Sequence, residues 1–203
     1  ERAGRVRLEN GQTASITIGG TVSPAGGNFE EPVTQATLKV VGAFHGLARE
    51  RSDARKYPAI HPVDSWSKYR GVVDSERVEK ARGILIRSTE INQMMKVVGE
   101  EGTSAEDYIV YQKGELFDAV YLQQNSFDPI DEACSPERQR REFDRLYDAL
   151  TRTYGITDKR EIRSFFNQLR QEFLDWHGTE FETPEFVDQE KKISDFYMAK
   201  VVE

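Results

Sequence analysis

Ser135-Pro136-Glu137, echoed in kind at Thr183-Pro184-Glu185, is the pattern on which the reading of the fold turns. A hydroxyl side chain that can accept an orphan backbone N–H, followed by a proline whose fixed φ suits the first turn, marks a helix start. Moving outward, the same kind of signal recurs. Ser104 precedes Glu106 and Asp107, and Thr157-Asp158 sits just ahead of Glu161. Between these starts glycine is sparse and apolar residues return at a helical period. Helices are therefore predicted over 74–98, 104–122, 136–153, 158–174 and 184–199. Five such helices with short connections make an α-helical bundle over residues 69–203. Phe165, Phe166, Phe173, Trp176, Phe181 and Phe186 read as its packing rather than as a ligand site.

Residues 1–68 have a different texture. The stretch from Gly11 to Val22 alternates and is rich in β-branched residues, which predicts a buried strand. Residues 23–32 carry glycine and proline punctuation and read as a structured loop. Pro32 is suited to open a helix, and Val33, Leu38, Val41, Phe44 and Leu47 extend the expected amphipathic helix over 33–50. Two prolines in Tyr57-Pro58-Ala59-Ile60-His61-Pro62 then enforce an extended segment. The fold class is α+β: a short β/α part, residues 1–68, followed by an all-α bundle, residues 69–203.

Composition narrows the function classes. The chain has 203 residues, 37% hydrophobic and 31% charged, with a formal net charge of −7. That balance opposes a nucleic-acid footprint, which needs clustered Lys and Arg to displace counterions. It also opposes a polybasic membrane anchor. No stretch approaches the roughly 20 apolar residues that span a bilayer. With Cys134 as the sole cysteine, no internal disulfide can form, and a reducing compartment is expected.

The chemistry is informative by what is missing from these 203 residues. A P-loop needs G-x-x-x-x-G-K-[ST], whose amides and lysine cradle phosphates while its hydroxyl holds Mg²⁺. No Gly-Lys pair occurs. Gly42-Ala43-Phe44-His45-Gly46 is followed by Leu47-Ala48-Arg49 and reads as packing. His45, His61 and His177 lie far apart with no paired spacing, so no metal site is predicted. Cys134 has no activating neighbour and reads as a buried or half-buried thiol. By glycine content alone, residues 23–35 suit either a phosphate loop or a turn with unusual backbone angles.

The residues Ser23-Pro24-Ala25-Gly26-Gly27-Asn28-Phe29-Glu30-Glu31-Pro32-Val33-Thr34-Gln35 change this picture. They resemble the loop-and-helix entry that follows the Mg²⁺-binding strand in the catalytic A subunit of V/A-type rotary ATPases. Glu1-Arg2-Ala3-Gly4-Arg5-Val6 resembles the stretch just upstream. Tyr57-Pro58-Ala59-Ile60-His61-Pro62-Val63-Asp64-Ser65-Trp66-Ser67 is similar to the end of the nucleotide-binding domain in rotary catalytic subunits. A-type relatives carry Phe at the Tyr57 position and Asn-Trp at His61-Pro62, so this spot is closer to the beta subunit of F-type synthases. Tyr121-Leu122-Gln123-Gln124-Asn125-Ser126-Phe127-Asp128 resembles the A-subunit pattern Tyr-Leu-Gln-Gln-x-x-Phe-Asp, and Cys134-Ser135-Pro136-Glu137-Arg138-Gln139 echoes Cys-x-Pro-Glu-x-Gln. The likeness covers most of residues 1–130.

The resemblance implies several things. Residues 1–68 would be the end of an α/β nucleotide-binding domain. Tyr57 and Phe127 would stack on adenine, with Tyr121 a third contact; on the residues alone all three also read as packing aromatics. Glu100, Glu101, Glu106 and Asp107, alone a solvated helix–helix turn, would form the acidic loop that bears on the central stalk. ATP or ADP with Mg²⁺ would be the cofactor of the whole catalytic chain. The phosphate-binding lysine, the catalytic glutamate and the Mg²⁺ ligands would lie upstream of Glu1, with an arginine supplied in trans by the B subunit. Partners would be the B subunit in an alternating hexamer, the D subunit of the central stalk, and the peripheral stalk. The location would be cytoplasmic, on the membrane only through the ion-translocating sector. The opening residues, with neither an initiator Met nor a leader pattern, lead to the expectation of a chain cut inside a domain and inactive alone. Two alternatives stand beside it: a stand-alone helical interaction module on an ATPase-derived fold, and the equivalent region of the non-catalytic B subunit, against which the Tyr-Leu-Gln-Gln-x-x-Phe-Asp match speaks.

Overall fold

The computed structural model describes residues 3–202. Glu1, Arg2 and Glu203 lie outside the described residues, and with them the first two positions of the Glu-Arg-Ala-Gly-Arg-Val stretch. The chain forms two compact units, Glu1–Gly42 and Ala43–Glu203.

In the first unit, β1 (Gly4–Arg7) and β2 (Thr13–Ile16) make an antiparallel hairpin in which Val6 faces Ala14 and Arg5 faces Ser15. Gly11 closes its loop at φ 83°, where a side chain is strained. The buried strand expected over Gly11 to Val22 is corrected here. The strand is short, and Val6, Ile16 and Ile18 are exposed. Alternation supplies an apolar face, but a two-stranded ribbon has no second layer within this unit to cover it. After a 3₁₀ turn at Ala25–Gly27, α1 (Pro32–Val40) begins at the expected proline. Its cap is Glu31, whose carboxylate accepts from the Thr34 N–H at 3.0 Å and the Thr34 hydroxyl at 2.9 Å.

The helix expected over 33–50 ends early, at Val40. Gly42 and the β-branched Val40-Val41 weaken it, and the second unit offers the following backbone better partners. β3 (Ala43–Phe44) pairs antiparallel with β4 (Trp66–Ser67). The Gly46 N–H donates to Ser65 Oγ at 3.0 Å, the His61 N–H to Gly46 O at 2.7 Å, and the Ala48 N–H to Ala59 O at 2.8 Å. Beyond Val40 the chain returns to helix at α2 (Arg49–Asp53), a short turn.

The five predicted helices all form, within a few residues of their expected ends. They are α3 (Ser75–Val98), α4 (Ala105–Val120), α5 (Pro136–Thr151), α6 (Lys159–His177) and α7 (Pro184–Met198). Each N-terminus is capped by the side chain just before it: Asp74, Ser104, Ser135, Asp158 and Thr183 accept from the N–H three residues on. α4 lies between α3 and α6, and α6 packs in turn on α7. Leu169, Phe173, Trp176, Phe186, Ile193 and Tyr197 are fully buried, and Trp176 Nε1 donates to Phe186 O at 2.9 Å. Phe165 and Phe166 join them, whereas Phe181 is half-buried and packs edge-on against Phe186. The aromatic stripe is therefore packing, as its spacing suggested.

One glycine controls how closely α3 and α4 approach. A Cβ at Gly114 would sit 2.2 Å from Ser88 Oγ and 2.3 Å from Ser88 Cβ. Ser88 in turn donates to Tyr111 O at 3.1 Å. Gly114→Ala should lower unfolding free energy by about 1–3 kcal/mol, because overpacking outweighs alanine's better helix propensity. Urea denaturation followed by circular dichroism measures it. Ser88→Gly in the same chain should recover part of the loss; no recovery would show that the cost arises elsewhere.

Candidate functional site

The site is built from a buried carboxylate outward. Asp118 stands near the end of α4, inside the apolar run Leu116-Phe117-Asp118-Ala119-Val120. An ion in such a place is stable only with partners. It has two: Arg51 Nη1 on Oδ1 and Lys56 Nζ on Oδ2, each at 2.5 Å. Arg51 and Asp118 are buried, and Arg51 Nε and Nη2 have no hydrogen-bond partner among the described residues. Lys56 is the residue before Tyr57, so the clamp fixes the backbone from which Tyr57 projects. The Tyr57–Pro58 peptide is cis.

The loop after α4 is tied to the same hub. Gln123 Nε2 donates to Asp118 O at 3.2 Å, and the Gln124 N–H donates to Tyr57 O at 2.9 Å. Farther on the loop holds its own shape. Asp131 accepts from the Asn125 N–H at 2.6 Å, Asn125 Oδ1 from the Phe127 N–H at 3.1 Å, and Asp128 Oδ1 from the Ile130 N–H at 2.8 Å. The structure thus brings the two expected segments together through backbone and amide contacts. Tyr57 is 53% exposed and Phe127 95% exposed. Neither ring stacks on another aromatic among the described residues.

Tyr121 is placed differently. Its ring packs between Phe117 and Phe143, with centroids 5.9 and 5.4 Å away, and burial pushes its phenol up to about 12. It also lines a cavity of about 470 Å³ bordered by Pro58, Gln123 and Gln124. Arg138, Glu142 and His177 line the same cavity. Arg138 Nε donates to Glu142 Oε1 at 2.7 Å, and Arg138 Nη2 to His177 O at 2.6 Å. Burial raises the Glu142 carboxyl. Cys134, expected as a buried or half-buried thiol, is an exposed residue whose Sγ lies 4.0 Å from Glu142 Oε2. Partial burial of the sulfur still pushes its thiol up. Sequence reasoning missed Asp118, Arg51 and Lys56. The signal was an acid inside an apolar helical stripe.

The acidic loop divides into two kinds of residue. Glu100 takes a short hydrogen bond from Arg163 Nη2, and Lys159 Nζ donates to the carbonyls of Glu100 and Glu101 at 2.6 and 3.0 Å. Asp107 accepts from Arg87 Nη2 at 3.2 Å. No cation holds the carboxylates of Glu101 and Glu106 among the described residues, and both are exposed. Gly99, at φ 78°, and the Thr103 hydroxyl, donating to Gly99 O at 3.2 Å, shape the turn. Among the described residues no three His, Cys, Asp or Glu side chains gather as a metal-binding group, and no helix is long and apolar enough to cross a membrane.

His177 carries a measurable signature. Its imidazole is largely buried beside Arg138, and desolvation lowers its pKa to about 4, with Nε2 unpartnered 4.0 Å from Glu142. The unfolded chain therefore binds a proton that the folded chain refuses between about pH 6.5 and 4. This group's contribution is present above pH 6.5 and is lost as pH falls through that window, by at most about 3 kcal/mol. Glu142, raised rather than lowered, works in the opposite sense. The stability of wild type relative to His177→Leu should fall steadily from pH 7 to pH 4 in denaturant titrations. A pH-independent difference would contradict the buried neutral imidazole.

Comparison with known proteins accords with this geometry. The model for the nucleotide-binding domain of the ATP synthase alpha/beta family matches residues 1–67, and that for the C-terminal domain of V and A type ATP synthase matches residues 75–166. The V-type ATP synthase alpha chain of Borrelia garinii subsp. bavariensis is 58% identical over 202 residues, covering 100% of this chain and 35% of the relative. That of Borrelia turicatae is 61% identical, covering 98% and 35%. That of Treponema denticola is 61% identical, covering 95% and 33%. A solved ATP synthase subunit, NeqB from Nanoarcheaum equitans, aligns with 61% of this chain and 32% of its own at 22% identity and a TM-score of 0.48. The chain spans about a third of the length of these curated relatives. With identities this high along its whole length and both domain models in order, the chain belongs to the V- and A-type ATP synthase alpha-chain family.

Proposed function

We propose that these residues serve the catalytic A subunit of a rotary ATPase or ATP synthase, contributing the adenine side of its nucleotide site and a contact with the central stalk. The observation that carries this reading is the tether between Tyr57 and the loop bearing Phe127. Two segments far apart in the chain are joined by the Gln124–Tyr57 hydrogen bond, and each presents an exposed aromatic ring. Large apolar rings held out in water by a fixed backbone suit a flat apolar ligand such as a purine. Tyr121, packed on Phe117 and Phe143, supports the loop from beneath and offers only its phenol edge. ATP or ADP with Mg²⁺ is the cofactor of this reading. The phosphates and the metal are handled by the P-loop and carboxylates of the whole catalytic chain, and the boundary near residue 68 separates the nucleotide-binding part from the helical part. The family-model matches on either side of that boundary support the division.

Partners follow from the same reading. The B subunit supplies the neighbouring faces of an alternating ring, and the D subunit of the central stalk meets the acidic loop. The peripheral stalk completes a complex that touches the membrane through its ion-translocating sector. Glu101 and Glu106 are the acids free to meet the stalk, since Glu100 and Asp107 are engaged by Arg163 and Arg87.

In the assembled complex, Tyr57→Ala or Phe127→Ala should raise KM for ATP roughly 5- to 100-fold, the loss expected when a stacked ring worth about 1–3 kcal/mol is removed. Steady-state hydrolysis kinetics measure it, and Tyr57→Phe should restore binding. An unchanged KM in both alanine variants would remove the adenine assignment. Residues 1–203 by themselves should bind ATP weakly and should not hydrolyse it. A sub-micromolar dissociation constant by calorimetry would contradict that expectation.

A further inference from the structure

We propose that Asp118 is a positioning residue for the nucleotide site, setting both aromatic walls through separate bonds; this rests on the adenine reading above. Its carboxylate holds Lys56 at 2.5 Å, next to Tyr57, and Arg51 at 2.5 Å, on α2. Its carbonyl holds Gln123 at 3.2 Å, one residue before the Gln124 N–H that donates to Tyr57 O. One residue of α4 is thus bonded to the segment bearing Tyr57 and to the loop bearing Phe127. Arg51 and Asp118 are buried together, so the clamp has little freedom to re-form in another geometry.

The position of Asp118 along α4 gives the clamp a rigid base. α4 carries Glu106 and Asp107 of the acidic stretch in its first turn and ends two residues beyond Asp118. Its 16 residues make a rod of about 24 Å. The rod is held along its length by α3, through the tight Ser88–Gly114 approach, and by α6. The hub is thereby anchored to the bundle, and both purine walls are tied to one fixed point of α4.

The test uses the intact ATP synthase complex and separates positioning from plain structural support. Asp118→Asn keeps the side-chain volume and removes the charge. It should raise KM for ATP roughly fivefold or more, with kcat within about twofold of wild type and normal assembly by gel filtration. Lys56→Met, which leaves the Arg51 pair in place, should raise KM in the same direction and decides the matter if Asp118→Asn fails to assemble. Asp118→Asn alters the side-chain bonds on the Tyr57 side and keeps the carbonyl bond to Gln123, so it should add little to KM in a Tyr57→Ala background. KM raised by Tyr57→Ala but unmoved by both Asp118→Asn and Lys56→Met would overturn the proposal alone. Additive effects of Asp118→Asn and Tyr57→Ala would overturn it as well. KM unmoved by Tyr57→Ala and Phe127→Ala would overturn the adenine reading, and the proposal with it.

Discussion

Two cations converging on one buried carboxylate hold the 43–68 segment to the helical bundle. Asp118 is surrounded by apolar neighbours on α4, and an unpaired charge there would be strongly destabilising. Lys56 and Arg51 offset that cost, but they leave Arg51 Nε and Nη2 buried and unpartnered among the described residues. By general experience a buried ion cluster of this kind is weak evidence for extra stability, since an apolar replacement of similar volume is often as stable. What the cluster supplies is geometry. It fixes which residue of the extended Lys56–Pro62 stretch sits over the end of α4, and so where Tyr57 points its backbone carbonyl.

The bundle makes that geometry stiff. α4 is clasped on one side by α3, at a contact too close for any side chain at position 114, and on the other by α6. Lys113 Nζ donates to Arg152 O at 2.6 Å and lies over the Tyr154 ring, tying the middle of α4 to the α5–α6 connection. Burial lowers that lysine to about 8. Arg138 does similar work at the head of α5, joining the Ile130 and His177 carbonyls to Glu142. The apolar core and these single buried cations act on different scales: the core fixes helix against helix, and each cation fixes one loop to one helix.

The helical half was legible because its signals are local. A capping side chain with acids or a proline in the first turn, and a 3.6-residue apolar period, require no knowledge of distant residues; four of the five helices follow from both and the 74–98 helix from its period. The first half was less legible because its outcome depends on pairing at a distance. Val33, Leu38, Val41, Phe44 and Leu47 keep a helical period, yet Gly46 and Ala48 are claimed by Ser65, His61 and Ala59 across the fold. No window of sequence contains that competition. The alternation of Gly11 to Val22 likewise specifies a strand but not what covers it. At the site, the exposed aromatics were legible only through resemblance. Asp118 was legible in principle as a charge in an apolar stripe, but its partners lie 67 and 62 residues upstream.

The contrast between Tyr121 and Phe127 shows how one short motif divides its labour. Both are aromatic and belong to the same loop motif. Tyr121 still belongs to the end of α4, where Phe117 and Phe143 enclose it and its burial adds apolar area to the core. Phe127 lies within the turn that Asn125, Asp128 and Asp131 hold, and hydrogen bonds among those side chains and the backbone replace the apolar contacts a core would give. A loop with that many internal bonds does not need Phe127 for its shape, and exposing the ring forgoes roughly 2 kcal/mol of burial. The chain meets that cost at a position tethered through Gln124 to another exposed ring and through Gln123 to a buried carboxylate. On the reading proposed above, these two rings are the walls for a flat partner, and the bonds at Asp118 hold the backbone behind both to one point of α4.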